Sequence, residues 1–209
     1  MENTKTAKMT LPPILVVNRP ERTDRRDYIS AHLAGHGLPF EIIPATNPFT
    51  TANGFLNLAT RGAFLSHMTL WDRIAKENKP YLILEDDANI PASSLPLMIA
   101  RYEAVQRCHF WHCLYFYSNP VPGIVRVCEG STCGYILNPA LAPISVAALR
   151  SRYESLLVSG PKNWMTHIDQ WLAKDLWKRH DFFCYGSEEL VFRVDMGSDT
   201  GWKEHRVEK

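Results

Sequence analysis

The sequence is poor in the features that mark membrane, secreted and nucleic-acid-binding proteins. No apolar run among its 209 residues approaches the roughly 20 needed to cross a bilayer. The opening Met1 to Thr10 is polar and has no apolar core of a secretory signal. There is no Asn-x-Ser/Thr sequon, no Gly/Ser-rich linker, no repeat and no low-complexity segment. The five cysteines (Cys108, Cys113, Cys128, Cys133 and Cys184) are an odd number without Cys-x-x-Cys spacing. That pattern favours reduced, partly buried thiols over a disulfide framework or zinc site, even with His109 and His112 beside Cys108 and Cys113. A net charge of +1 supplies no global field for nucleic acid or an anionic membrane, so nucleic acid is not an expected partner. Two phosphate-binding signatures are also missing. Asn18-Arg19-Pro20, not Gly-x-Gly-x-x-Gly, follows the first apolar run, and no Gly-x-x-x-x-Gly-Lys-Ser/Thr occurs.

What is present suits one large α/β domain. The chain is 45% hydrophobic and 22% charged, enough for a well-buried core. A flexible start over residues 1–11, a domain over 12–202 and a charged tail over 203–209 are expected. Pro12 to Val17 reads as a strand, Glu21 to Ala34 as a helix closed by Gly35 and Gly37, and Phe40 to Ile43 as a second strand. This β-α-β opening implies a parallel pair with a crossover helix. Further helices are expected over Thr60–Lys76, Ser93–Val105, Ala140–Leu157 and Thr166–Lys178. Further strands are expected over Tyr81–Leu84, Phe110–Tyr117, Ile124–Cys128, Gly134–Leu137, Phe182–Cys184 and Leu190–Val194. The alternation predicts a mostly parallel central sheet flanked by helices on both faces.

The densest chemical signal is Tyr81-Leu82-Ile83-Leu84-Glu85-Asp86-Asp87, an apolar strand that ends in three acids. At the carboxyl edge of a sheet, where open α/β folds place their ligands, three adjacent carboxylates call for a cation. A hard divalent ion that also grips a substrate's phosphates meets that need. Alternation along an extended end would point Glu85 and Asp87 one way and Asp86 the other. Asp87 is then the expected metal ligand, with Glu85 assisting or reaching a ribose. Val17, Asn18, Arg19 and Arg22 lie where a strand's carboxyl end meets a helix's amino end, a natural anion site. Arg25 and Arg26 read as a solvated helix face with i,i+4 pairs such as Glu21 with Arg25. His67 reads as a packed or solvated helix residue rather than a ligand, and Trp71 as part of the apolar stripe. Asp169, three residues after Thr166, fits either a capping box or a general base held at a helix start. Asp199 reads as a turn residue or as a late acid returning to the ion.

Taken together, ILVVNRPERTDRR, RGAFLSHMTLW, YLILEDDA, GSTCGYILNPAL, HIDQWLAKDLW and VFRVDMGSDTGW resemble glycosyltransferase family 25, the lipopolysaccharide and collagen-type galactosyltransferases. They run in family order from about residue 13 to 202, although Ala63 and Phe64 depart from the family's Gly-Cys flavour. The resemblance implies a GT-A-type nucleotide-diphospho-sugar transferase fold, and a nucleotide-sugar donor that is usually UDP-linked. It also implies Mn²⁺ or Mg²⁺, a glycan or glycoconjugate acceptor, and inversion at the anomeric carbon. Carried onto this chain, Glu85, Asp86 and Asp87 form the metal and donor motif. Asn18, Arg19 and Arg22 face the nucleotide, with Val17, Arg61 and Ser66 beside it. Asp169 serves as base and Asp199 as a further metal ligand, or the two exchange roles. A sugar nucleotidyltransferase and a non-catalytic sugar-binding relative are the alternatives. The expected location is the cytoplasm, with peripheral work at the inner membrane face.

Overall fold

The computed structural model describes residues 10–47, 58–116, 123–127, 131–159 and 167–196. The Asp199 expectation and the charged tail lie outside them. The β-branched run Ile14–Asn18 forms β1, Thr23–Gly35 forms α1 and Phe40–Pro44 forms β2, which pairs in parallel with β1. Helix α1 stops in a Schellman turn. Gly37 takes φ 65°, its N–H bonds Ala34 O at 2.9 Å, and Leu38 N bonds Leu33 O at 3.1 Å. Helix α2 spans Leu58–Glu77 and ends where Asn78 takes φ 48°. Strand β3, Leu82–Glu85, then lies on the other side of β1, again parallel. The order β2-β1-β3 places a topological switch at β1, where open α/β sheets form a crevice at their carboxyl edge.

The rest of the sheet is mixed. Helix α3 (Ser94–Gln106) precedes β5 (Cys113–Tyr115), β6 (Val125–Arg126) and β7 (Gly134–Leu137). Helices α4 (Ala142–Ser159) and α5 (Ile168–Lys174) precede β8 (Cys184–Gly186). The seven strands run β2-β1-β3-β7-β5-β8-β6. Strands β1, β2, β3, β5 and β8 share one direction, and β7 and β6 oppose them. The sheet is therefore mostly parallel in direction, as the sequence predicts, with antiparallel β7 inserted beside β3. A separate ribbon joins β4 (Ala88–Asn89) to β9 (Phe192–Arg193).

Two apolar clusters fill the two faces. Leu15, Ile83, Tyr115, Tyr135 and Leu137 pack with α2, α4 and α5. Ile14, Val16, Leu82, Leu84, Leu114 and Ile136 pack with α1 and α3. Strand alternation thus feeds both cores, which is why these strands read as unbroken apolar runs.

Several boundaries differ from expectation. Of the strand expected over Phe110–Tyr117, the described residues are β over Cys113–Tyr115, and Tyr117 lies outside them. The single helix expected over Thr166–Lys178 begins at Ile168, with Thr166 outside the described residues, and breaks at Asp175 before a 3₁₀ turn over Leu176–Lys178. There Asp175 Oδ2 accepts the Trp171 indole N–H (2.9 Å), and Trp177 turns inward to bond Tyr115 Oη (3.2 Å). The strand expected over Phe182–Cys184 lies later, at Cys184–Gly186.

Candidate active site

Parallel pairing brings the ends of β1 and β3 together, with Val17 opposite Glu85. A cleft of about 260 Å³ opens there, walled by the amino-terminal part of α1, the loop after β2 and the first turns of α2. Val17, Arg19, Arg22, Ser66, Glu85 and Asp86 line it, and so do Arg25 and His67. Ser66 accepts the Thr46 N–H (2.9 Å) and donates to Gly62 O (2.6 Å), so it fastens the β2 loop to α2. Asn18 is buried, and its amide bonds Asp86 Oδ2 (2.8 Å) and Arg22 O (3.1 Å). Its place is beneath the cleft, where it ties the two strand ends to α1. Arg61 is also buried and is not among the lining residues.

The acids do not alternate. Strand β3 ends at Glu85, and Asp86 and Asp87 form a turn. Both therefore reach the same cation. Arg25 Nη1 bonds Asp86 Oδ1 and Asp87 Oδ2, each at 3.1 Å. Arg25, expected on a solvated face, is only 16% exposed. Asp87 Oδ1 is buried with no hydrogen-bond partner. Burial and then the neighbouring Glu85 charge push the Asp87 carboxyl above its ordinary range, against the pull of Arg193 and Arg25.

Glu85 has a different setting. Its Oε1 accepts from Thr132 Oγ1 (2.5 Å) and its Oε2 from Arg193 Nη2 (2.6 Å). Burial opposes its ionisation, but His67, Arg193 and Thr132 outweigh that and hold its carboxyl down at about 2. Arg193 arrives on β9, more than a hundred residues along the chain. Arg193 and Thr132 both fall in segments that carry the family resemblance, but nothing there marks either as a partner of Glu85. His67 lies well inside α2, past its first two turns, and carries no sequence signal beyond its place on that helix. Arg22 forms a fork on Asp24 (2.9 and 2.8 Å), which drops the Asp24 carboxyl to about 2, and also reaches Met196 O (3.2 Å).

Asp169 does not line the cleft. Its Oδ1 accepts the Gln170 N–H (2.7 Å) in the first turn of α5, and His167, not Thr166, holds the N-cap position. The His167 side chain makes no capping hydrogen bond, and the Thr166 half of the expected capping box lies outside the described residues. His167 Nδ1 lies 3.5 Å from Thr60 Oγ1, so the start of α5 sits beside the start of α2. Among the described residues, no three His, Cys, Asp or Glu side chains form a ready metal cage. No helix among them is long and apolar enough to cross a membrane.

The sequence model of glycosyltransferase family 25 (LPS biosynthesis protein) matches residues 11–98, and every residue lining the cleft falls in that span. No curated relative matches the chain. Among solved structures, a glycosyltransferase involved in the glycosylation of the major capsid of PBCV-1 is similar, with a TM-score of 0.51 and 12% identity. The similarity covers 85% of this chain and 82% of that one, and at such identity it speaks for the fold. The cleft-forming part of the chain, residues 11–98, is thus similar to glycosyltransferase family 25, and its fold is similar to that of a solved glycosyltransferase.

Proposed function

We propose that the cleft binds a nucleotide-sugar donor, UDP-linked, and that the enzyme transfers its hexose with inversion to a hydroxyl of a glycan or glycoconjugate. The supporting observation is the convergence of Arg19, Arg22 and Arg25 on a crevice at the switch point of the sheet. Guanidinium forks suit a diphosphate, and the amino end of α1 adds its own positive potential. Arg22 and Arg25, now turned to Asp24 and to the Asp86–Asp87 turn, are the groups that would rotate onto the phosphates.

A Mn²⁺ or Mg²⁺ ion fits the residues present. The acids offer hard oxygen donors, and Asp87 Oδ1 is a buried carboxylate oxygen with nothing bonded to it. Such an ion needs one or two carboxylates plus substrate phosphates, not a full protein cage. Asp87 would hold it, with Glu85 beside it and Asp199 as a further ligand. When bound, the ion supplies Lewis-acid neutralisation of the leaving diphosphate. Asp169, outside the cleft lining on α5, would accept the proton of an acceptor hydroxyl bound where the start of α5 meets the start of α2. On this reading the protein works in the cytoplasm, at the inner membrane face where lipid-linked glycans are built.

The test is transfer and hydrolysis from a panel of UDP-, GDP- and CDP-sugars, with Mn²⁺ or with excess chelator. Turnover should vanish in chelator, and Asp87→Asn should lower it by about 10²–10³. Undiminished turnover in chelator removes the metal role, and binding without turnover marks a non-catalytic relative. Asp169→Asn should depress kcat more than donor affinity, and the reverse moves Asp169 into the donor site.

A further inference from the structure

We propose that His67 is a specificity residue that reads a ligand hydroxyl, and that Tyr135 and Trp71 set its hydrogen-bonding sense. The inference rests on the nucleotide-sugar reading of the cleft. The Trp71 indole can only donate, and it gives its N–H to Tyr135 Oη at 2.8 Å. Tyr135 Oη lies 2.8 Å from His67 Nδ1 and has its own hydrogen to give there. Receiving that hydrogen at Nδ1, the ring presents its own N–H at Nε2. That N–H faces the cleft, where the facing atom is Glu85 Oε1 at 3.8 Å, too far for a direct hydrogen bond.

The three rings are locked. His67 is 3% exposed, and Trp71 and Tyr135 are fully buried. Glu85 is held on its other side by Thr132 and Arg193. A fixed donor and a fixed acceptor thus stand across a gap wider than a hydrogen bond. A hydroxyl suits that gap, because it accepts from Nε2 and donates to Oε1 at once. A carbonyl or a phosphate oxygen satisfies only the histidine and leaves Glu85 repelled. The ribose and the hexose of a nucleotide sugar both offer such a group.

Calorimetric binding to the whole chain separates the two sources. The ribose arm compares UDP with 2′-deoxy-UDP and 3′-deoxy-UDP. The hexose arm compares UDP-glucose and UDP-galactose with their singly deoxygenated counterparts. Wild type should prefer the hydroxyl-bearing ligand by about 10–100-fold in one arm. His67→Leu should bring that preference close to unity, His67→Gln should restore part of it through its amide N–H, and Tyr135→Phe should narrow it by freeing the tautomer. Tyr135→Phe carries the test alone if His67→Leu does not fold. Equal loss of affinity for all ligands in these variants overturns the proposal, as does a wild type that ignores every deletion. If no nucleotide or nucleotide sugar binds at all, the donor reading of the cleft fails as well.

Discussion

Arg25 places one nitrogen between two carboxylates, a position a metal ion could otherwise hold. Its removal leaves Asp86 and Asp87, both mostly buried, to repel each other and Glu85. Arg25→Gln should therefore lower stability by about 1–2 kcal/mol. In a chain of this size, that is a fall in melting temperature of about 2–8 °C. The same variant should weaken UDP binding about tenfold in titration calorimetry. The residue was hard to read in the sequence for a physical reason. Glu21 supplied a local i,i+4 partner, whereas the real partners lie 61 and 62 positions away. Arg19, Arg22, Glu85 and Asp86 were legible as cleft residues because they sit at ends of strands or just before a helix, where chain geometry aims them, whereas Ser66 lies well inside α2. Asn18 was legible in place and not in role, because its amide spends itself on Asp86 and Arg22.

At the scale of elements, the helices were the clearest in the sequence, since apolar periodicity over three or more turns leaves little choice. Short strands were less so. The β4–β9 ribbon has two residues a side, too few for any pattern, yet it delivers Arg193 to Glu85. Its approach depends on Gly134, where an added Cβ meets the Val191 methyls at 3.1 Å. Gly134→Ala should cost about 1–2 kcal/mol by overpacking. Val191→Ala in the same chain should recover part of that, which a double-mutant cycle of denaturant melts would detect. Two histidines join elements in a neutral form. His32 Nε2 on α1 accepts the Ile90 N–H (2.9 Å), and His112 Nδ1 accepts the Phe183 N–H (3.1 Å). Burial pushes both rings below their ordinary value. From about pH 6.5 down to those lowered values the unfolded chain holds more protons, so stability should fall as pH falls. Melting temperatures from pH 7.5 to 5.5 should show that slope, and His32→Gln and His112→Gln should each flatten it.

On the scale of the molecule, the family signature and the architecture divide the chain differently. Residues 11–98 carry the match and all the cleft-lining side chains, but they do not make a complete sheet. Within them β3 has β1 on one side only, and its second neighbour, β7, comes from Gly134–Leu137. The face packed on α2 also needs α4, whose contacts lie beyond that span. A fragment of residues 1–106 should therefore show no cooperative melting transition by circular dichroism and should associate in gel filtration. The overall α/β order was legible because each opening strand and helix declares itself locally. The insertion of β7 between β3 and β5 was not, because nothing near residue 134 names its partners.

That insertion bears on how the protein is made. As the chain leaves the ribosome, the cleft-lining wall is synthesised first, yet the strand that seals its edge follows about fifty residues later and the arginine that neutralises Glu85 later still. Until then a growing chain carries an open, apolar β3 rim, the kind of surface that chaperones shield and that slow translation leaves exposed for longer.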